Sequence, residues 1–156
     1  MRGSTYLLAI ALVACRPAGR PVTPSPSTEQ PPLRQQIVTQ LERAASDWNR
    51  GDLRGFLSDY ASDSATTFVD GRRARHGFDF IRENYARWFA PGARRDSLRF
   101  EEIEVRPLGA NHALVTARFL LERSGAVTSS GPFTLVMERR PEGWKILHDH
   151  SSSDPR

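Results

Sequence analysis

Between Ile37 and Trp48 the apolar positions recur at a helical interval. Ile37, Leu41, Ala44, Ala45 and Trp48 are four, three, one and three residues apart, which gathers them on one face of a helix with 3.6 residues per turn. Asn49-Arg50-Gly51 ends this stretch, and Gly51 suits the left-handed residue that commonly closes a helix. Asp52 can cap a short second helix that puts Leu53, Phe56, Leu57 and Tyr60 on one face. Residues 66–69, an Asp70-Gly71 turn and residues 72–76 read as a small hairpin. A third helix is expected over residues 78–89, with Phe78, Ile81, Tyr85, Trp88 and Phe89 facing inward and Pro91-Gly92 as its stop. The period then drops to two. Strands are expected over 98–106, 113–123, 131–139 and 144–151, separated by Pro107-Leu108-Gly109, Ser124-Gly125 and Pro141-Glu142-Gly143. The pattern therefore predicts an α+β domain in which a curved antiparallel sheet wraps three N-terminal helices. One sheet face is covered and the other open, a shape that encloses a cone-like cavity.

The N-terminal segment has a different character. The apolar run from Tyr6 to Ala14 is too short to span a bilayer, which takes about 20 residues. It fits the apolar region of a signal peptide, with Arg2 as the positive flank. Leu12-Val13-Ala14-Cys15 presents small residues before the only cysteine of the chain, the pattern a bacterial lipoprotein signal peptidase accepts. Fourteen residues is short for such a signal, so an upstream start is expected. Residues 16–36 hold six prolines and no aromatic residue, too little apolar area to offset the entropy of ordering. The expected layout is a signal peptide over 1–14, lipidated Cys15 with a Pro/Ser-rich tether over 15–35, the domain over 36–152 and a tail over 153–156. The protein would then sit in the bacterial cell envelope, anchored by its lipid to a membrane outside the cytoplasm. With Cys15 acylated, no thiol remains for a disulfide, a metal or nucleophilic attack.

The net charge is +4, and Lys145 is the single lysine among 22 basic residues. Arg72, Arg73, Arg75, Arg82, Arg87, Arg94 and Arg95 could face an anionic surface. Interspersed Asp and Glu favour the plainer explanation, codon bias in a GC-rich genome. Nucleic acid is not an expected partner of an exported protein.

Several strings resemble the nuclear transport factor two-like superfamily, in its branch of small bacterial SnoaL-like and calcium/calmodulin-kinase-association-like domains. They are Trp48-Asn49-Arg50-Gly51-Asp52-Leu53, Phe56-Leu57-Ser58-Asp59-Tyr60, Phe68-Val69-Asp70-Gly71, His76-Gly77-Phe78-Asp79-Phe80-Ile81 and the closing stretch from Gly143 to Ser152. The resemblance covers residues 36–152. It implies a conical barrel with a pocket, often a homodimer through the open sheet face, and no single activity. Ketosteroid isomerase-like members need a carboxylate base and two oxyanion donors. Asp70 lies near the position of the base, Ala44 falls about where the tyrosine donor belongs, and Thr134 or a neighbour replaces the acidic donor. Two of three roles are empty, which argues against steroid isomerisation.

In the last strand Trp144, Ile146, His148 and His150 share parity, so the imidazoles are expected to face the pocket and Asp149 to face outward. A bulge ahead of Asp149 would reverse that assignment. Two such histidines could form half of a metal site, but His76 and His112 fall in separate segments, and neither a metal nor a cofactor is expected. His150 with Asp70, or with Glu101, is the candidate proton-transfer pair. Trp48, Tyr60 and Tyr85 are candidate pocket walls beside Phe68, Trp88 and Phe89, joined by His148 and His150 as ligand contacts. Arg118 could hold a ligand carboxylate, pair with Glu101 or meet a dimer partner. An apolar patch of Val115, Ala117, Phe119 and Leu121 on the open face would favour dimerisation. These features predict a domain that binds a small apolar or amphipathic ligand or serves as a dimeric assembly module. The alternative is a small isomerase, dehydratase or cyclase using a pocket His and Asp.

Overall fold

The computed structural model describes residues 31–70 and 73–155. The expected signal, Cys15, most of the tether and the Gly71-Arg72 pair lie outside the described residues. Helix α1 spans Leu33–Arg50. It begins ahead of the boundary expected at residue 36, directly after Pro31-Pro32, with Pro32 in an extended conformation (ψ 145°) and Pro31 kept out of the helical region by the proline that follows it. Gly51 closes α1 at φ 82°, its N–H donating to the Trp48 carbonyl at 3.0 Å. Asp52 then caps α2 (Leu53–Leu57) by accepting the Gly55 N–H at 2.8 Å. The hairpin follows as β1 (Thr67–Val69) and β2 (Ala74–His76). Helix α3 covers Phe78–Ala86 and stops short of the expected end. Trp88 and Phe89 lie in a turn, their N–H groups donating to the Tyr85 and Ala86 carbonyls.

Four strands complete the domain: β3 (Ser97–Pro107), β4 (His112–Arg123), β5 (Ala126–Arg140) and β6 (Gly143–Ser151). They form the expected antiparallel meander. The hairpin also joins it, because β1 pairs in parallel with β6 through Thr67↔His148, Phe68↔Asp149 and Val69↔His150. The sheet is thus six-stranded and mixed, in the order β2-β1-β6-β5-β4-β3. Its edges β2 and β3 do not meet. Register shifts between Glu101 and Glu104, between Leu121 and Glu122 and between Val136 and Met137 bend the strands.

The sheet curls around α1, which is tied down at both ends. The Asn49 amide brackets Leu98, donating to its carbonyl at 3.0 Å and accepting from its N–H at 2.7 Å. At the other end Gln40 donates to the Trp144 carbonyl at 2.8 Å, and the Trp144 indole donates to Gln36. Between helix and sheet lie Ile37, Leu41, Val115, Leu135, Met137 and Ile146, all buried. Val115 and Ala117 therefore face inward, and no apolar patch built on them exists on the open face. Parity accounts for this, since the outward positions of β4 are Leu114, Thr116, Arg118 and Leu120.

Candidate functional site

A cavity of about 200 Å³ remains between the helices and the inner sheet face. Helix α1 contributes Leu41, Ala44 and Trp48, α2 contributes Phe56, and the loop after α2 supplies Asp59 and Tyr60. Tyr85 and Trp88 close one side, while Leu98, Phe100, Phe119, Phe133, Leu135 and Ile146 form the sheet wall. The aromatic rings meet edge to face: Trp48 and Phe56 at 5.3 Å, Phe56 and Tyr85 at 4.9 Å. Such pairs add about 0.5–1.5 kcal/mol each beyond burial, so these walls are fixed. Trp88, 39% exposed, marks the mouth.

The polar end of the cavity is a chain of four side chains. The Tyr60 hydroxyl donates to Asp149 Oδ2 at 2.6 Å, and the Tyr85 hydroxyl lies 3.3 Å from that of Tyr60. A phenol has one proton; Tyr60 commits its own to Asp149, so Tyr85 donates to Tyr60. Ser151 Oγ completes the set by donating to Asp149 Oδ1 at 2.7 Å. Burial pushes the Asp149 carboxyl above the ordinary carboxylate range against the pull of these donors and of His148 and His150. Burial, with Asp149 beside them, also raises both phenols.

Asp149 faces the cavity because β6 carries a bulge. Consecutive residues Val136 and Met137 pair with His148 and Ile146, which leaves Leu147 as an extra residue. The alternation set by Trp144 and Ile146 flips there. Asp149 is 4% exposed inside, whereas His148 turns away to meet Thr67 Oγ1 at 2.6 Å, and His150 is exposed. The expected inward histidines and outward carboxyl are therefore reversed. Asp70, next to Val69 in the strand paired with His150, is exposed and does not line the cavity. Arg118 also lies outside it. Glu101 stands opposite Arg118 in the register, yet the Arg118 guanidinium pairs with Asp154, and Glu101 pairs with Arg99. Trp48, Tyr60 and Tyr85 are wall residues, as expected.

Sequence reasoning missed Asp59 as well as Asp149. Asp59 is 4% exposed and ion-paired to Arg43, which also reaches Asp47 at 2.8 Å. Burial raises its pKa to about 6, against the lowering influence of Arg43, Lys145 and Gln40. A lone carboxylate within Phe56-Leu57-Ser58-Asp59-Tyr60-Ala61 was the available signal. Among the described residues no three His, Cys, Asp or Glu side chains group as a metal site requires.

The fold has counterparts. The model of the SnoaL-like domain matches residues 37–155. The chain belongs to that family. The SnoaL-like domain is similar to an NTF-2 like protein of unknown function from Shewanella oneidensis MR-1, at 28% identity and a TM-score of 0.65, over 76% of this chain and 97% of that one. It shares its fold with a protein of cystatin-like fold and unknown function from Nostoc punctiforme (12% identity, TM-score 0.65, 78% and 91% covered). A ketosteroid isomerase-like protein from Erwinia carotovora atroseptica is a further fold neighbour (20% identity, TM-score 0.59, 78% and 96% covered). No curated protein matches the chain.

Proposed function

We propose that the SnoaL-like domain binds one small, mainly apolar molecule, with Asp149 as the group that exchanges a proton at its polar end. The observation that carries this is a cavity with aromatic walls closed by one hydrogen-bonded chain, Tyr85–Tyr60–Asp149–Ser151. A space of about 200 Å³ is larger than the roughly 150 Å³ dry cavity that admits benzene. A carboxyl raised by burial inside a pocket is suited to proton transfer, which supports the enzyme reading as well. That reading moves from His150 and Asp70 to Asp149, and the isomerase-like neighbour makes enolisation a reaction class to assay.

Filling the cavity is the test. Ala44→Phe puts a ring from α1 into the space; it should abolish uptake of small aromatic probes, read by Trp fluorescence, while the fold stays intact. Unchanged uptake would remove the cavity as the binding site. The envelope address is part of the same proposal: Cys15 carries the lipid, and the domain works outside the cytoplasm.

A further inference from the structure

Three large apolar side chains are exposed among the described residues: Trp88, Leu108 and Val127. Two of them share one end of the domain. Trp88 lies in the turn after α3, at the cavity mouth, and Val127 lies just past the β4–β5 turn. Asp96 ties these two segments together. Arg123 and Thr128 donate to its carboxylate, and its neighbour Arg95 donates to the Trp88 carbonyl at 3.4 Å. Leu108 sits in the β3–β4 turn, at the opposite end of the same strands.

Trp88 is displayed by a built turn. The Phe89 ring packs edge-on against Trp48 at 5.1 Å and lies 4.7 Å beneath the Arg95 guanidinium. Phe89 thus pins the turn to the core and leaves Trp88 pointing out, with the Arg87 guanidinium 5.5 Å above its indole. Charge is concentrated here too. Between Tyr85 and Asp96 the chain has three arginines (Arg87, Arg94 and Arg95) and no acid. Asp96 itself is paired with Arg123, so this rim sets four arginines against one carboxylate. Glu83, one turn earlier on α3, leaves the balance positive.

We propose that this end of the domain docks on an anionic lipid bilayer, with Trp88 at the depth of the headgroups and Arg87, Arg94 and Arg95 against lipid phosphates. Indole rings settle at membrane interfaces, basic side chains beside them are drawn to anionic lipid, and Arg meets phosphate in a bidentate fork. The cavity mouth selects a bilayer over an acidic protein as the occupant. An apolar ligand dissolves in lipid, and an opening seated on the surface lets it pass without crossing water. One tryptophan and a few arginines hold only reversibly, about as one acyl chain does. The surface therefore orients the domain and does not replace the anchor proposed at Cys15. The inference goes beyond ligand binding, and its test does not read uptake into the cavity.

The test attaches the full chain to vesicles of phosphatidylglycerol or of phosphatidylcholine, each with brominated acyl chains. Trp48 and Trp144 are buried, which leaves Trp88 as the tryptophan the bromines can quench. Phosphatidylglycerol should blue-shift the fluorescence and quench it about fivefold or more beyond phosphatidylcholine, and the difference should fade as salt is raised. Trp88→Phe should abolish the quenching. Arg87→Gln with Arg94→Gln, both exposed, should remove most of the preference for phosphatidylglycerol while the far-UV circular dichroism stays unchanged. Equal quenching by the two lipids, or quenching that survives Trp88→Phe, would overturn the proposal. So would a blue shift that the bromines do not quench, which would mean that a second copy or another protein covers Trp88.

Discussion

Replacing Asp59 with Asn should change how folding stability depends on pH. In the folded domain the Asp59 carboxyl keeps its proton up to about pH 6, against 3.8 for a free aspartate. Between those values the native state binds a proton that the unfolded chain has released, so stability falls as pH rises. The contribution is fully present below about 3.8 and is lost by the time pH passes about 6. A gap of about two pH units, at about 1.36 kcal/mol per unit, amounts to about 3 kcal/mol. Asn has no such proton, and its contribution is flat. Asp149, raised in the same direction, and Asp63, Asp96 and Asp154, lowered in the opposite one, are common to both proteins and cancel in the difference. Urea denaturation from about pH 3 to about pH 8 gives the stability of each protein. Wild type should lose about 3 kcal/mol relative to the Asn variant across that range. A difference constant to within about 0.5 kcal/mol, or one that moves in favour of wild type as pH rises, would refute the reasoning. The second result would mean that attraction to Arg43 outweighs the cost of burial.

Tyr60→Phe removes the hydroxyl that donates to Asp149 Oδ2 and should cost about 1–3 kcal/mol in urea denaturation; no measurable loss would show that the contact contributes nothing net. Gly131→Ala should cost about 1–3 kcal/mol or more, because a Cβ there would collide with the Ser152 backbone carbonyl. Faster hydrogen exchange at Ser152 and Asp154, whose N–H groups donate to Pro132 and Ser130, would locate the damage. Cys15→Ala should move the protein from the membrane fraction to the soluble one, and retention at the membrane would defeat the anchoring proposal.

The helices were legible because their signals are local. Ile37, Leu41, Ala44, Ala45 and Trp48 are all buried, Gly51 adopts its left-handed turn, and Asp52 caps α2 as its chemistry suggests. Tyr60 and Tyr85 were legible as pocket walls, since a buried phenol needs a hydroxyl partner and a cavity edge provides one. The placement of Asp149 was not legible. It depends on a one-residue offset that the register with β5 imposes on β6, and neither strand alone carries that information. Docking of β1 onto β6 was hidden for the same reason, because parallel pairing joins segments about eighty residues apart (Thr67 with His148). Asp59 went unweighed because an acid after a short helix is usually a solvated cap. Here the Tyr60–Ile146 bridge draws the loop under the sheet.

Leu147 acts on β6 as an inserted letter acts on a reading frame. Everything downstream of it is presented to the opposite side, so the run His148-Asp149-His150 delivers an acid to the hollow and leaves its imidazoles outside. Deleting that one leucine would swap the two sets, bringing two imidazoles to the hollow in place of one acid, with no side chain exchanged. Gain or loss of a single residue here is thus a short evolutionary path between unlike chemistries on one scaffold.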